Sequence, residues 1–282
     1  MSQSCSDAAG RLRRGVAGLL ALALLPGCAT PLSIPQEREL GEEFAREIQR
    51  EVVFVNDEVV SDYVERIGRE MVQAAGPQPL EYHFYVIEDQ NINAFAGPGG
   101  HIYFHTETVL RAKNVSELAG VVAHEVGHVV ERHVAANYNR QRSTGLLYQF
   151  GVVLAGLFGG QLGAGLANIG GGLAATAYLN KFGREAEMEA DAFAVTVMRR
   201  AGYDPAGLVS FFQVLQAEGG SGVPTFLSSH PATEDRIAAT SALIRQQGSR
   251  SGLRTTDGGR LQIIQRRIRL LTGEVDSEPS PL

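Results

Sequence analysis

"VVAHEVGHVVERH", Val121 to His133, sets two histidines and a glutamate inside an otherwise apolar run. Leu118, Val121, Val122, Val126, Val129 and Val130 surround them. A helix that is apolar nearly all round is a buried one, and buried polar groups need partners. Residues four apart lie about 40° apart around a helix axis, so His124 and His128 converge on one point and Glu125 flanks it. Imidazole nitrogens bind zinc at about 2.0–2.1 Å. A flanking carboxylate that does not reach the metal can take a proton from the water the metal activates. The spacing is H-E-x-x-H. It predicts one zinc per chain on His124 and His128, with Glu125 as general base.

A catalytic zinc takes three protein ligands. The longer histidine motif H-E-x-x-H-x-x-G-x-x-H does not fit: Glu131 stands at the glycine and Val134 at the last histidine. His133 is out of register and is expected at the surface or beside the site. The stretch "REAEMEADAFAVTVMRRAGY" from Arg184 supplies a carboxylate instead. Helical periodicity puts Glu187 and Asp191 on the apolar face with Ala194 and Met198, and Glu185 and Glu189 on the opposite face with Thr196, Arg199 and Arg200. Glu187 is therefore expected as third ligand and Asp191 as the group that orients a ligand histidine.

Around this centre the chain reads as helices over Ile34 to Ala75, a strand at Tyr82–Asp89, a Gly/Pro turn and a short strand from His101 to His105. Asn114 or Ser116 is expected to cap the zinc helix, with Glu117 in its first turn. A helix covers Leu208 to Ala217, His230 falls on a loop before another helix, and a basic amphipathic helix spans 260–271. Packing on the domain is the expected fate of that last helix, with membrane contact the alternative. Residues 143–180 hold 38 uncharged residues, with ten glycines between Gly145 and Gly172. A single crossing would separate His128 from Glu187 across a bilayer, and two crossings need about 40 residues plus a turn. The expectation is a mobile, partly helical loop over the domain, or a segment that dips into a membrane surface or grips unfolded chains.

Four motifs in order, "NINAFAGPGGHIYFHTE", "HEVGH", "REAEMEAD" and "SSHPATEDRI", resemble the CAAX-prenyl-protease/HtpX-like family of zinc metallopeptidases, over about Glu39 to Ile244. The likeness is greatest to exported bacterial members that act at the cell envelope. The resemblance implies an α+β, predominantly helical, zincin-like fold with a small sheet over the H-E-x-x-H helix. It assigns His124, His128 and Glu187 to zinc and Glu125 to the base. The H-P motif before Arg236-Ile237 gives His230 a role in the site, as an oxyanion donor or as a latch on the metal. Family analogy places substrate as an added strand along "GGHIYFH", read as an edge strand. Gly99, Gly100, His101, Ile102 and Arg236 are then candidate substrate contacts. Asn93 is expected either to bind substrate or to brace its turn. Ring nitrogens of His101 and His105 are not expected on the metal; both side chains are read as strand surface. Some exported relatives carry a C-terminal helical-repeat domain, and none is expected here.

The 282 residues carry a net charge of −6 and no long basic run, which argues against nucleic acid as a partner. Arg11, Arg13 and Arg14 precede an apolar run from Gly15 to Leu25 and then "LPGC", which reads as a bacterial lipoprotein signal cut before Cys28 and lipidated on it. Pro26, and the ten residues ahead of Arg11, depart from the usual pattern. Cys5 is the only other cysteine, so the mature chain has no internal disulfide. Ala29 and Thr30 lack an inner-membrane retention aspartate, which favours the outer membrane, facing the periplasm. The organisation expected is signal 1–27, tether 28–35, catalytic domain 36–245 with the Gly-rich insert, and 246–282 as linker, helix and tail. Two functions fit: a zinc endopeptidase clearing misfolded or misassembled envelope proteins, or a chaperone-like binding module with a latent or structural zinc. Glu125 separates them, because a binding module has no use for a base beside the metal.

Overall fold

The structure, a computed structural model, describes residues 31–143, 182–218, 225–231 and 233–274. The stretch read as a signal, Cys28 and almost all of the Gly-rich segment lie outside the described residues. Helix α1 (Ile34–Glu51) opens with a capping box: the Gln36 amide donates to Ser33 Oγ, and the Ser33 amide donates to Gln36 Oε1 at 2.9 Å. Helix α2 (Glu58–Ala75) is capped by Asp57 and stopped at Gly76. Three strands follow: β1 (His83–Ile87), β2 (Ala94–Ala96) and β3 (His101–His105). Their order is β1-β3-β2, with β1 parallel and β2 antiparallel to β3.

Alternation along the strands builds two cores. Phe84, Val86, Ala94, Ile102 and Phe104 face α2 and the zinc helix. Ile87, Phe95 and Tyr103 face Phe44 and Ile48 of α1. The sheet is thus covered on both faces, and β3 is its centre. This corrects two expectations. β3 is not an edge strand, because the stretch before the Gly/Pro turn, Ala94–Ala96, forms a third strand beside it. His101 and His105 are not surface residues: both are buried, and His101 stacks on His83 with ring centroids 4.9 Å apart.

Helix α3 (Thr106–Arg111) leads to the zinc helix α4 (Val115–Val130). Of the two expected caps, Asn114 does the capping, accepting from the Glu117 amide at 3.1 Å, while Ser116 donates to the Asp204 carbonyl. Helix α5 (His133–Ser143) follows α4 after a two-residue break. Helices α6 (Arg184–Arg200) and α7 (Ala206–Glu218) pack on α4. At Gly127 a β-carbon would lie 3.2 Å from the Ala190 backbone, so glycine there lets α6 come close to the zinc helix. A short helix α8 (Thr225–Ser229), α9 (Glu234–Gln246) and α10 (Arg260–Leu271) complete the fold. Leu261, Ile264 and Ile268 of α10 join the main core. Its Gln265 amide donates to the carbonyls of Val109 and Ala112, which the end of α3 leaves without helical partners. Among the described residues no helix is long and apolar enough to cross a membrane.

Candidate metal centre

One turn of α4 presents His124 and His128, with their Nε2 atoms 3.1 Å apart. Glu187, in the first turn of α6, brings Oε2 to 3.5 Å from His124 Nε2 and Oε1 to 3.5 Å from His128 Nε2. His230 follows α8 and puts Nδ1 2.9 Å from Glu187 Oε1 and 3.3 Å from His124 Nε2. The four donor atoms lie within 4.8 Å of one another, and all four side chains are buried. Three imidazoles and a carboxylate at this spacing suit zinc.

The electrostatics favour positive charge here. Burial alone would push the His124 imidazole down, yet Asp191 and Glu187 outweigh it and lift it to about 9. Burial would likewise raise the Glu187 carboxyl, but His230 and His124 hold it well below the usual carboxylate range. The His128 imidazole is pushed well down by burial and by His124. One cation suits the cluster, and a divalent metal supplies it while leaving the imidazoles neutral for ligation. His124 Nδ1 sits 3.0 Å from Asp191 Oδ1, which keeps the proton on Nδ1 and leaves Nε2 for the metal.

Glu125 is fully buried, and no side chain among the described residues hydrogen-bonds to its two oxygens. Burial raises its carboxyl above the ordinary range, with His230 and His124 opposing that rise. Its Oε1 lies 3.7 Å from His230 Nε2, and the Ala96 backbone amide of β2 faces it.

The wheel argument on α6 is met: Glu187 and Asp191 are buried, while Glu185 and Glu189 are exposed. Arg236 is corrected. It is buried, not offered to substrate, and clamps Asp191 through two bonds of 2.8 Å, from Nε and Nη2. Its Nη1 pairs with Glu187 Oε2 and donates to the Pro231 carbonyl at 3.0 Å, so one guanidinium ties the third ligand, the orienting aspartate and the His230 loop together. Gly99 and Gly100 are corrected as well. Both have positive φ, 74° and 94°, and their close approaches are to α1 and to the Glu81 carbonyl, which a β-carbon on Gly100 would meet at 1.9 Å. Ile102 is buried at the centre of the sheet, and His101 lies under its aromatic stack. Asn93 braces its turn through its backbone, to Thr108 Oγ1 and the His105 amide; its side-chain amide is buried and makes no hydrogen bond. His133, expected at the surface or beside the site, is buried beside it, with Nδ1 3.0 Å from His128 Nδ1. Periodicity did not choose between those two places for His133, and it had no means of finding Phe182, whose ring stacks on His128 at 4.0 Å.

A small sheet laid over a helix that carries His-Glu-x-x-His, closed by a glutamate from a second helix, defines a metallopeptidase of the zincin type. The chain belongs to peptidase family M48, whose model matches residues 59–244. It is 35% identical over 213 residues to the beta-barrel assembly-enhancing protease of Escherichia coli K12, covering 73% of this chain and 43% of that protein. It is 31% identical over 177 residues to the mitochondrial metalloendopeptidase OMA1 of Schizosaccharomyces pombe, covering 62% and 50%. Against metalloprotease LoiP of E. coli K12 the identity is 26% over 222 residues, covering 78% and 84%. The chain thus spans less than half the length of the beta-barrel assembly-enhancing protease.

Proposed function

We propose that this chain is a zinc endopeptidase that hydrolyses misfolded or misassembled proteins of the bacterial cell envelope. The observation that carries the substrate class is the outer edge of β2, which pairs with no further strand among the described residues. The Gly97 amide donates to the His101 carbonyl and the His105 amide to the Asn93 carbonyl. In an antiparallel pair the bonded positions alternate, so Ala94 and Ala96 turn their amides and carbonyls away from β3; Ala94 is buried, and Ala96 is the half-buried position of that outer edge. An extended peptide paired there runs past Glu125, held by its backbone with little demand on its side chains. Unfolded or unassembled chains offer such segments in abundance.

His124, His128 and Glu187 would hold zinc, which polarises a scissile carbonyl and makes water acidic enough to attack near neutral pH. Glu125 takes the proton of the attacking water and passes it to the leaving amine; its raised pKa suits both halves of that transfer. Asp191 and Arg236 fix the ligands, and His230 closes the cluster as a fourth donor, a latch that must leave for substrate to enter. A relative named for enhancing β-barrel assembly supports envelope substrates. The basic-apolar start ending at Cys28 supports export and a lipid anchor, with the outer membrane, facing the periplasm, as destination.

The test is a Glu125→Gln chain expressed in the native host and purified from its membranes. It should retain about one zinc per chain, fail to cleave unfolded casein, and trap envelope proteins that the wild type degrades. Cleavage near the wild-type rate would remove Glu125 as base and with it the proposed mechanism. Cys28→Ser should release the protein from the membrane fraction, and persistent retention would count against the anchor.

A further inference from the structure

The two histidine ligands are supported in different ways. Behind His124 stands Asp191, buried and clamped by Arg236. Behind His128 stands another imidazole: His133 Nδ1 is 3.0 Å from His128 Nδ1, and His133 Nε2 is 2.9 Å from Glu189 Oε2. We propose that His133 is a positioning residue for the metal ligand His128, the middle of a His128–His133–Glu189 relay that fixes the ligand's tautomer and ring orientation.

Proton placement allows one arrangement compatible with ligation. A carboxylate only accepts, so His133 Nε2 carries a proton and donates to Glu189. His133 Nδ1 is then the acceptor, and His128 donates from Nδ1. That leaves the lone pair of His128 on Nε2, the nitrogen that faces His124 Nε2 and Glu187. In the opposite sense His128 Nε2 would hold the proton and could not bind metal.

The backbone is shaped for this contact. Helix α4 stops after Val130, and Arg132 adopts φ 57°, a left-handed conformation uncommon outside glycine and worth a functional explanation. The side chain of Arg132 holds the turn by donating to Glu37 Oε2 and to the Leu32 carbonyl, both at 2.6 Å. This reversal carries His133, five residues beyond His128 and off its helical face, back onto the far side of the ligand ring. Phe182 lies against the same ring and limits its tilt. The outer end of the relay is half exposed, with the Glu189 side chain at 53%, unlike the sealed Asp191. The His128 arm is therefore the one open to water.

The inference rests on His128 being a metal ligand, so His128→Ala is run beside the relay variants in the full chain. Zinc affinity is measured by competition with a chromophoric chelator, metal geometry by the ligand-field spectrum of the cobalt(II)-substituted protein, and folding by circular dichroism. His133→Leu should weaken zinc roughly 10- to 100-fold and shift the cobalt bands, the usual size of effect when the group behind a ligand is lost. His133→Asn places an acceptor near the Nδ1 position and should recover most of that affinity and the wild-type spectrum. Glu189→Ala should speed chelator-driven zinc loss roughly two- to tenfold, the worth of one hydrogen bond, and Glu189→Gln should restore it. A His133→Leu chain with zinc affinity within about twofold of wild type and unchanged cobalt bands overturns the relay, because the loss is expected to be roughly tenfold or more. Equal zinc loss in the Leu and Asn variants, with unshifted bands, also overturns it and makes His133 a packing residue. Should the Leu variant not fold, the Glu189 pair decides: no change in chelation rate in either sinks the proposal. If His128→Ala itself keeps zinc, the metal-site assignment fails instead.

Discussion

Replacing Arg236 with methionine should cost several kcal/mol of stability, about 3–5, because it breaks a buried ion pair. The guanidinium is 2% exposed, makes two 2.8 Å bonds to Asp191, pairs with Glu187, and lies 4.9 Å over the Phe212 ring. Methionine fills much of the volume but leaves buried Asp191 without its cation and Glu187 without the partner that holds it beside the metal. Removing one partner of a buried pair costs about 3–5 kcal/mol. For a domain of this size each kcal/mol moves Tm by about 2–4 °C, so the melting point should fall by roughly 6–20 °C. Arg236→Lys keeps the charge but not the two-pronged geometry and should fall in between. The pH dependence has a definite sign. Burial would raise the Asp191 carboxyl, but hydrogen bonds from His124 and Arg236 overcome it and hold it below its ordinary value. A carboxylate with a lowered folded-state pKa contributes stability above its unfolded value, about 3.9, and loses it as pH falls through the folded one. The gap between wild type and Arg236→Met should therefore be full near neutrality and narrow below about pH 4. The assay is thermal unfolding in excess zinc across that range, with metal content measured alongside. A neutral-pH Tm within about 2 °C of wild type, under about 1 kcal/mol, would refute the clamp.

Other outcomes follow from the same geometry. Glu187→Ala should lose zinc, whereas Glu189→Ala should keep it at equilibrium near one per chain; equal loss in both would contradict the phase of α6. His230→Ala should raise basal casein cleavage and self-degradation with zinc retained, because its Nδ1 sits among the ligand donors. A fall of roughly 100- to 1,000-fold would make His230 a transition-state donor instead. Ala96→Pro removes the outward amide of β2 that lies beside Glu125 and should raise KM for unfolded casein about fivefold, the worth of a single hydrogen bond, with any change in kcat reporting the Glu125 contact; an unchanged KM would take the peptide off that edge.

Much of this centre was legible along the chain because its parts obey a helical period. His124, Glu125 and His128 on one helix, and Glu187 and Asp191 against Glu185 and Glu189 on another, follow from a fixed angle per residue, since polar groups on an apolar face must have partners waiting. What escaped has no local period. A three-residue strand, Ala94–Ala96, is too short to show alternation, and without it β3 looked like an edge and its histidines like surface. Arg236 carried a charge, and charge alone suggests solvent or substrate; only packing α9 on α6 shows that two buried carboxylates consume it. His133 lies off the helical face of His128, and one left-handed residue, Arg132, brings it back. Local sequence determined which groups seek partners. Tertiary structure decided which partners they found, because those contacts join residues from 5 to more than 100 positions apart through turns and packing that no periodicity encodes.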